Sequence, residues 1–303
     1  MDWASAINGF KAYLMLERSL SPNSIEAYTR DVYKLVEYLE IIQSDISPVE
    51  IKFTQLKDFI IWINGLGVAE RSQARIISGI RAFYKYLMME DIIDDDPTEL
   101  LEGPKIGRKI PDVLNYEEIE AILDAIDLSK EQGHRNKAII ETLYACGLRV
   151  SELINLKISN YFPDIEFIKV IGKNNKERII PIGAEAIKNI DIYIKNYRNK
   201  INIQKGNEDY IFLNRRGKKL TRIMIYHIIK DLTKLAGIKK NISPHTFRHS
   251  FATHLVEGGA DLRTIQEMLG HESIMTTEIY THLDTDYLKK TIIKYHPRNK
   301  KGE

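Results

Sequence analysis

The sequence predicts a mainly α-helical chain with a small antiparallel β-sheet, an α+β fold in two domains with the sheet confined to the second. Three observations lead there. Apolar residues recur at helical spacing through the first hundred positions. Gly103 to Pro111 then holds two prolines, two glycines and three basic residues in nine positions, the composition of an extended, exposed linker. Beyond it the helical segments resume, interrupted by two short β-branched runs around Gly172-Lys173-Asn174-Asn175, the signature of a hairpin. A chain of 303 residues is comfortable as two domains with a core in each. The expected organisation is a helical domain over 1–102, a linker over 103–111 and a mixed domain over 112–303.

The elements follow in order. Ser21-Pro22 supplies an N-cap and a proline at the first helical position, and Ile25, Tyr28, Val32, Leu35, Val36 and Leu39 then mark one helical face. A second periodic stretch runs from Phe53 to Ile63 and stops near Gly65 and Gly67. The third, Arg71 to Met89, puts Ile76, Ile77, Ile80, Phe83, Tyr84 and Leu87 on one face and Arg71, Arg75, Arg81 and Lys85 on the other. In the second domain Asn115 caps a helix through Ile126, and a more apolar helix covers 136–145. Strands are expected at 167–171 and 178–182. Helices are expected at 184–200, 221–236, 244–257, 262–268, 276–280 and 285–295.

Composition excludes several classes. Hydrophobic residues at 44% and charged residues at 28% are the balance of a folded soluble protein. No stretch approaches the roughly 18 apolar residues of a membrane span, and Met1-Asp2-Trp3 does not open a signal peptide, so a cytoplasmic protein is expected. One cysteine, Cys146, rules out an internal disulfide framework and is expected to fill core space. The net charge of +2 is unevenly spread: residues 1–105 carry 11 Lys and Arg against 17 Asp and Glu, the rest 33 against 25. A basic second half suits a polyanionic partner; ordinary surface charge explains it as well.

Four short stretches carry chemistry. In Ser243-Pro244-His245-Thr246-Phe247-Arg248-His249 a capped helix start sets His245 and Arg248 on one face, an imidazole and a cation at the positive helix end, where anions bind. A local cap is the plainer reading. His245 and His249 also have metal-ligand spacing, yet no acidic or cysteine cluster joins them, so no metal is expected. Arg149 lies three residues before Glu152, which invites an ion pair that fixes the guanidinium plane for gripping two phosphate oxygens; a surface pair would look the same. Lys173 sits in the hairpin turn. His271 precedes Tyr280 by nine residues, and a single tyrosine among 16 is by itself ordinary packing.

Taken as a set, Arg149, Lys173, His245, Arg248, His271 and Tyr280 resemble the catalytic set of the tyrosine recombinase/integrase family, and most closely its Xer branch. The matching stretches are ACGLRVSEL, VIGKNNKERIIPIG, SPHTFRHSFATHL and IQEMLGHESIMTTEIYTHL. In the first domain, SPNSIEAYTRDVYKLVEYL and ARIISGIRAFYKYLMMEDIIDDDP resemble the family's core-binding helices, and GPKIGRKIPDVL its linker. The likeness covers nearly the whole chain.

The resemblance implies two domains that clamp double-stranded DNA, and strand exchange without ATP or metal. Tyr280 would attack the scissile phosphate to leave a 3′-phosphotyrosine and a free 5′-hydroxyl. Lys173 would be the general acid, Arg149 and Arg248 would hold the phosphate, and His245 and His271 would hydrogen-bond it or assist Tyr280. Glu152 would orient Arg149. Arg71, Arg75, Arg81 and Lys85 would meet DNA, with Arg75 foremost, and the tail helix at 285–295 would pack its Tyr287, Leu288, Ile292 and Ile293 stripe into a neighbouring subunit of a tetramer. The implied role is resolution of chromosome or plasmid dimers, under control of an FtsK-type translocase in some systems. An integrase or invertase of a mobile element, or a DNA-binding architectural protein without cutting activity, are the alternatives.

Overall fold

A computed structural model describes residues 1–104, 107, 112–172, 176–270 and 282–299, the side chains of 282–286 and 299 excepted. The chain divides into two compact units, Met1–Lys109 and Ile110–Glu303. Among the described residues no helix is long and apolar enough to cross a membrane.

The first unit is built from α1 (Trp3–Leu16), α2 (Pro22–Ile41), α3 (Phe53–Gly65) and α4 (Glu70–Met89). The Ser21 hydroxyl accepts the Ser24 N–H at the start of α2, which is the cap the Ser-Pro pair predicts. Every residue of the apolar face read on α4 is buried, and Phe10, Leu35, Leu56, Phe59 and Phe83 complete the core. Each such side chain contributes about 1.5–3 kcal/mol by leaving water. α1, for which the sequence analysis sets no bounds, buries Ala6, Ile7, Phe10, Tyr13 and Leu14 at the same spacing. α2 and α4 approach closely because Gly79 has no side chain: a Cβ there would lie 2.6 Å from that of Asp31. The buried Asp31 carboxylate takes the Arg75 guanidinium.

In the second unit α5 (Tyr116–Asp124) starts from a capping box, with Asn115 accepting the Glu118 N–H at 2.8 Å and Glu118 the Asn115 N–H at 2.9 Å. The central helix α6 (Gly133–Cys146) is buried on all sides from Ala138 to Cys146, which is why its sequence shows no polar stripe. It begins three residues earlier than expected because only a glycine fits at 133, where a Cβ would fall 2.2 Å from the Asp127 carbonyl. Cys146 fills the core beside Pro181, and burial pushes its thiol pKa up.

The short α7 (Val150–Ile154) leads into an antiparallel sheet of three strands, β1 (Tyr161–Phe162), β2 (Phe167–Ile171) and β3 (Glu177–Pro181), in the order β1-β2-β3. Ile168 pairs with Ile180 and Val170 with Arg178, so Arg178 points to the same side as the core residues. The helix expected at 184–200 ends instead at Asn196 as α8 (Ala184–Asn196), because Arg198 turns inward to donate to the carbonyls of Tyr210 and Ile211 at 3.0 and 3.2 Å. α9 (Arg222–Leu235), α10 (Pro244–Glu257) and α11 (Leu262–Leu269) start at Thr221, Ser243 and Asp261. The helix expected at 276–280 lies outside the described residues.

The tail helix α12 (His282–Tyr295) departs in part from the expected exchange stripe. Leu288 and Ile292 are buried with Phe251, Leu255, Ile265, Met268 and Leu269 of the same chain, leaving only Tyr287 and Ile293 of the four exposed. Beyond it, His296 is fully buried, 4.6 Å from the Tyr144 ring and 5.5 Å from that of Phe251. Arg298 ion-pairs with Glu141 and Glu120, so the end of α12 is tied to α6 and α5.

Burial holds His296 neutral, with its pKa down at about 3. Below about pH 6.5 the unfolded chain binds a proton that the folded chain refuses, so stability falls with falling pH, by about 1.4 kcal/mol per unit for this group. His296→Phe should lose that portion of the slope between pH 6.5 and 5, read from urea unfolding; an unchanged slope would show that His296 titrates as in water.

Candidate active site

Gly147 ends α6 in the left-handed conformation, φ 57°, with its α-carbon so close to Phe251 that a Cβ would meet the ring at 2.4 Å. The chain then turns, buries Leu148, and presents Arg149 as the N-cap of α7. The Arg149 N–H donates to Glu152 Oε2 at 2.8 Å, and its Nη1 to Glu152 Oε1 at 2.9 Å. The pair read from the sequence is thus present, but it is no surface pair: the Glu152 side chain is 1% exposed.

What makes that burial tolerable is a second arginine. Arg178 donates through Nη1 and Nη2 to Glu152 Oε1 and Oε2 at 2.7 and 2.9 Å, a bidentate fork. Burial raises the Glu152 pKa, but the bonds and charge of Arg178, joined by the two hydrogen bonds of Arg149, outweigh it and hold the carboxyl below its ordinary range. With four hydrogen bonds its acceptor capacity is filled. Arg178 is not among the residues that the local sequence patterns mark. Its signal was an arginine on the core-facing parity of a β-branched strand, a position a charge occupies only with a buried partner.

α10 supplies the next pair. Ser243 and Thr246 bond reciprocally at its start, Pro244 occupies the first turn, and His245 is exposed there. Desolvation, then the charges of Arg248, His249 and Arg149, hold the His245 pKa below its ordinary value, so the ring is neutral near pH 7. Arg248 is 9% exposed and donates to the Gly147 carbonyl at 2.8 Å and to that of Leu269. Burial, with the charge of Arg149 next, brings its pKa down to about 10, which still leaves it a cation at neutral pH.

The structure therefore brings together Arg149, Glu152, His245 and Arg248. Lys173, His271 and Tyr280 lie outside the described residues, but the positions that lead into two of them are defined. Gly172 N–H closes the hairpin on the Lys176 carbonyl at 2.7 Å, and Gly270 ends α11 in the left-handed region, φ 64°. In the first unit Arg71, Arg75, Arg81 and Lys85 are all exposed on α4, as read. Two of them have intramolecular work: Arg75 holds Asp31, and Arg81 donates to the Leu101 carbonyl.

Three buried or half-buried guanidinium groups around one carboxylate leave an excess of positive charge at the start of a helix, the electrostatics of a phosphate site. Comparison with known proteins agrees. Residues 112–286 match the Phage integrase family, and residues 7–91 the Phage integrase, N-terminal SAM-like domain. The chain belongs to this family: it is a tyrosine recombinase, an enzyme of site-specific DNA recombination. It is 42% identical over 292 residues to Tyrosine recombinase XerD of Listeria monocytogenes serovar 1/2a, covering 96% of this chain and 98% of that one. It is likewise 42% identical over 293 residues to Tyrosine recombinase XerD of Staphylococcus aureus, covering 96% and 98%. Among solved structures it resembles XerA recombinase, at 30% identity, 97% and 99% coverage and a TM-score of 0.50. It also resembles XerH site-specific recombinase bound to palindromic difH substrate, at 25% identity, 91% and 81% coverage and a TM-score of 0.70.

Removing the carboxylate would leave Arg178, with a side chain 8% exposed, without its counter-charge. Glu152→Ala should cost about 3–5 kcal/mol of unfolding free energy, the penalty for breaking a buried pair. A loss under about 1 kcal/mol in chemical denaturation would show that Arg178 finds water or another anion.

Proposed function

We propose that this recombinase breaks and rejoins DNA through Tyr280 and serves the Xer role, resolving chromosome or plasmid dimers at a site of two inverted half-sites. The observation that carries the chemistry is the paired presentation of Arg149 and Arg248, both anchored through the second unit, in a chain whose remaining family positions hold Lys173, His271 and Tyr280. The role rests on the likeness to XerD proteins along nearly the full chain.

In this reading the Tyr280 phenolic oxygen attacks phosphorus, its proton leaves, and the bond from phosphorus to the 5′-oxygen breaks. A phenol has an ordinary pKa of about 10, so the cationic surroundings assist its ionisation. Negative charge spreads over the non-bridging oxygens, where Arg149 and Arg248 meet it; donors of this kind are each worth about 10²–10³ in rate. Lys173 protonates the departing 5′-oxygen, and His245 and His271 hydrogen-bond the phosphate or assist Tyr280. The 5′-hydroxyl of the partner strand then attacks the phosphotyrosine, restoring the phenol and a phosphodiester, so bond energy is conserved without ATP or metal.

The two units close around a duplex, phosphate contacts supplying affinity and groove contacts site choice. Arg71 and Lys85 are the stronger candidates on α4, since Arg75 and Arg81 already hold groups within their own unit. Four subunits, a homo- or hetero-tetramer, act on two duplexes, and Tyr287 and Ile293 are the exposed members of the α12 apolar stripe available to a neighbour. An FtsK-type translocase is a candidate partner. An integrase or invertase role uses the same chemistry.

Incubated with a duplex nicked beside the cleavage point, the protein should become covalently attached to DNA, seen as a shifted band on denaturing gels. Tyr280→Phe should bind this DNA normally and give no adduct; an adduct from that variant would remove Tyr280 as nucleophile. Lys173→Ala should regain cleavage on a bridging 5′-phosphorothiolate, whose leaving group needs no proton, and persistent inactivity there would exclude Lys173 as the acid. The logarithm of the binding constant should fall linearly with that of the salt concentration, in proportion to the phosphates contacted.

A further inference from the structure

We infer that Arg178 is a positioning residue of the reaction, holding Arg149, and the chain segments that enter Lys173 and His271, in register with one another. The inference rests on the reading of those residues given above. Arg178 lies on β3, the outgoing strand of the hairpin whose turn contains Lys173. Each of its three nitrogens is engaged inside the protein: Nη1 and Nη2 fork onto Glu152 at 2.7 and 2.9 Å, and Nε donates to the Met268 carbonyl at 2.9 Å. Its side chain is 8% exposed, against 32% for that of Arg149.

The Met268 bond belongs to a larger pattern. A helix leaves its last carbonyls without intrahelical partners and carries a partial negative charge there. At the end of α11 three consecutive carbonyls are taken by three different arginines: Met268 by Arg178, Leu269 by Arg248, and Gly270 by Arg149 at 3.3 Å. The helix end is a rack on which the guanidinium groups are spaced. Arg149 and Arg248 are the members proposed to face the phosphate. Arg178 ties the rack to the Glu152 carboxylate through a bidentate fork, beside the single Nη1 bond of Arg149, and so helps fix the distance between the rack and the Arg149 backbone.

Both glycines beside the remaining site residues abut Arg178. A Cβ on Gly270, which precedes His271, would lie 3.1 Å from Arg178 Cδ; one on Gly172, which precedes Lys173, would lie 3.4 Å from Arg178 Nη1. A change in the Arg178 side chain is therefore felt at three places at once: at Glu152 and through it Arg149, at the entry to the hairpin turn, and at the exit of α11. A shift of about 1 Å in such a group costs on the order of 10²-fold in rate.

The test is single-turnover cleavage of the nicked duplex by the full chain carrying Arg178→Met or Arg178→Lys, on a normal scissile phosphate and on each methylphosphonate isomer. Arg149→Ala is measured alongside. Arg178→Met should bind DNA within about threefold of wild type and cleave the normal phosphate about 10²-fold more slowly. Arg178→Lys keeps the charge but has no planar fork, so it should also be slowed. The methylphosphonate isomer that rescues Arg149→Ala, by removing the charged oxygen that Arg149 holds, should rescue both Arg178 variants; a general loosening of the fold would not be relieved by one isomer. Cleavage of the normal phosphate within threefold of wild type by a folded Arg178 variant overturns the inference, as does a defect that neither isomer relieves. Should Arg178→Met not fold, Arg178→Lys decides by the same two criteria. An absence of any adduct with the unaltered protein would instead sink the proposed reaction itself.

Discussion

The carboxylate of Glu152 accepts four hydrogen bonds from two arginines inside the second unit, and the positions of Arg149 and Arg178 follow from that. An isolated carboxylate so deeply buried would be protonated. Flanked by Arg149 and Arg178 it stays ionised and becomes the anchor against which their guanidinium planes are set. Arg248 is held differently, by donating to the Gly147 and Leu269 carbonyls.

Backbone dipoles do the rest of the arranging. The carbonyl end of α11 receives one donor from each of Arg178, Arg248 and Arg149, and the Gly147 carbonyl receives a second from Arg248. Carbonyls are suited to this because they hold a cation in place without neutralising it. Two left-handed glycines make the geometry available, Gly147 by letting α6 stop against Phe251 and Gly270 by letting α11 stop against Arg178. Larger residues would need both the rare backbone conformation and space that those side chains already fill.

The first unit uses a related device for a different end. Asp31 and Arg75 cross-link α2 and α4 where Gly79 lets the two helices close. Burial raises the Asp31 pKa although Arg75 opposes it, so this pair, with an Arg75 side chain 48% exposed, is a weaker clamp than the one around Glu152.

The periodicities were sufficient for the secondary structure because local patterns carry it. Apolar spacing located α2, α3 and α4, the serine and asparagine caps located the starts of α2, α5 and α10, and the β-branched runs located β2 and β3. Boundaries went astray where a distant contact intervened: Gly133 admitted to α6 by the Asp127 carbonyl, and α8 cut short by Arg198 reaching for Tyr210. The Arg149–Glu152 pair was legible because its partners are three residues apart, and His245 with Arg248 for the same reason. Arg178 was not, since 26 residues separate it from Glu152 and 90 from Met268, and no local pattern says which carboxylate or carbonyl a buried arginine will find. The side that the α12 stripe covers was equally undetermined by spacing, and packing decided it by burying Leu288 and Ile292 at home. Sequence alone thus settled which residue types stand at which periodic positions; tertiary structure decided their partners, because hydrogen bonds and ion pairs act over a few ångströms in space whatever the separation along the chain.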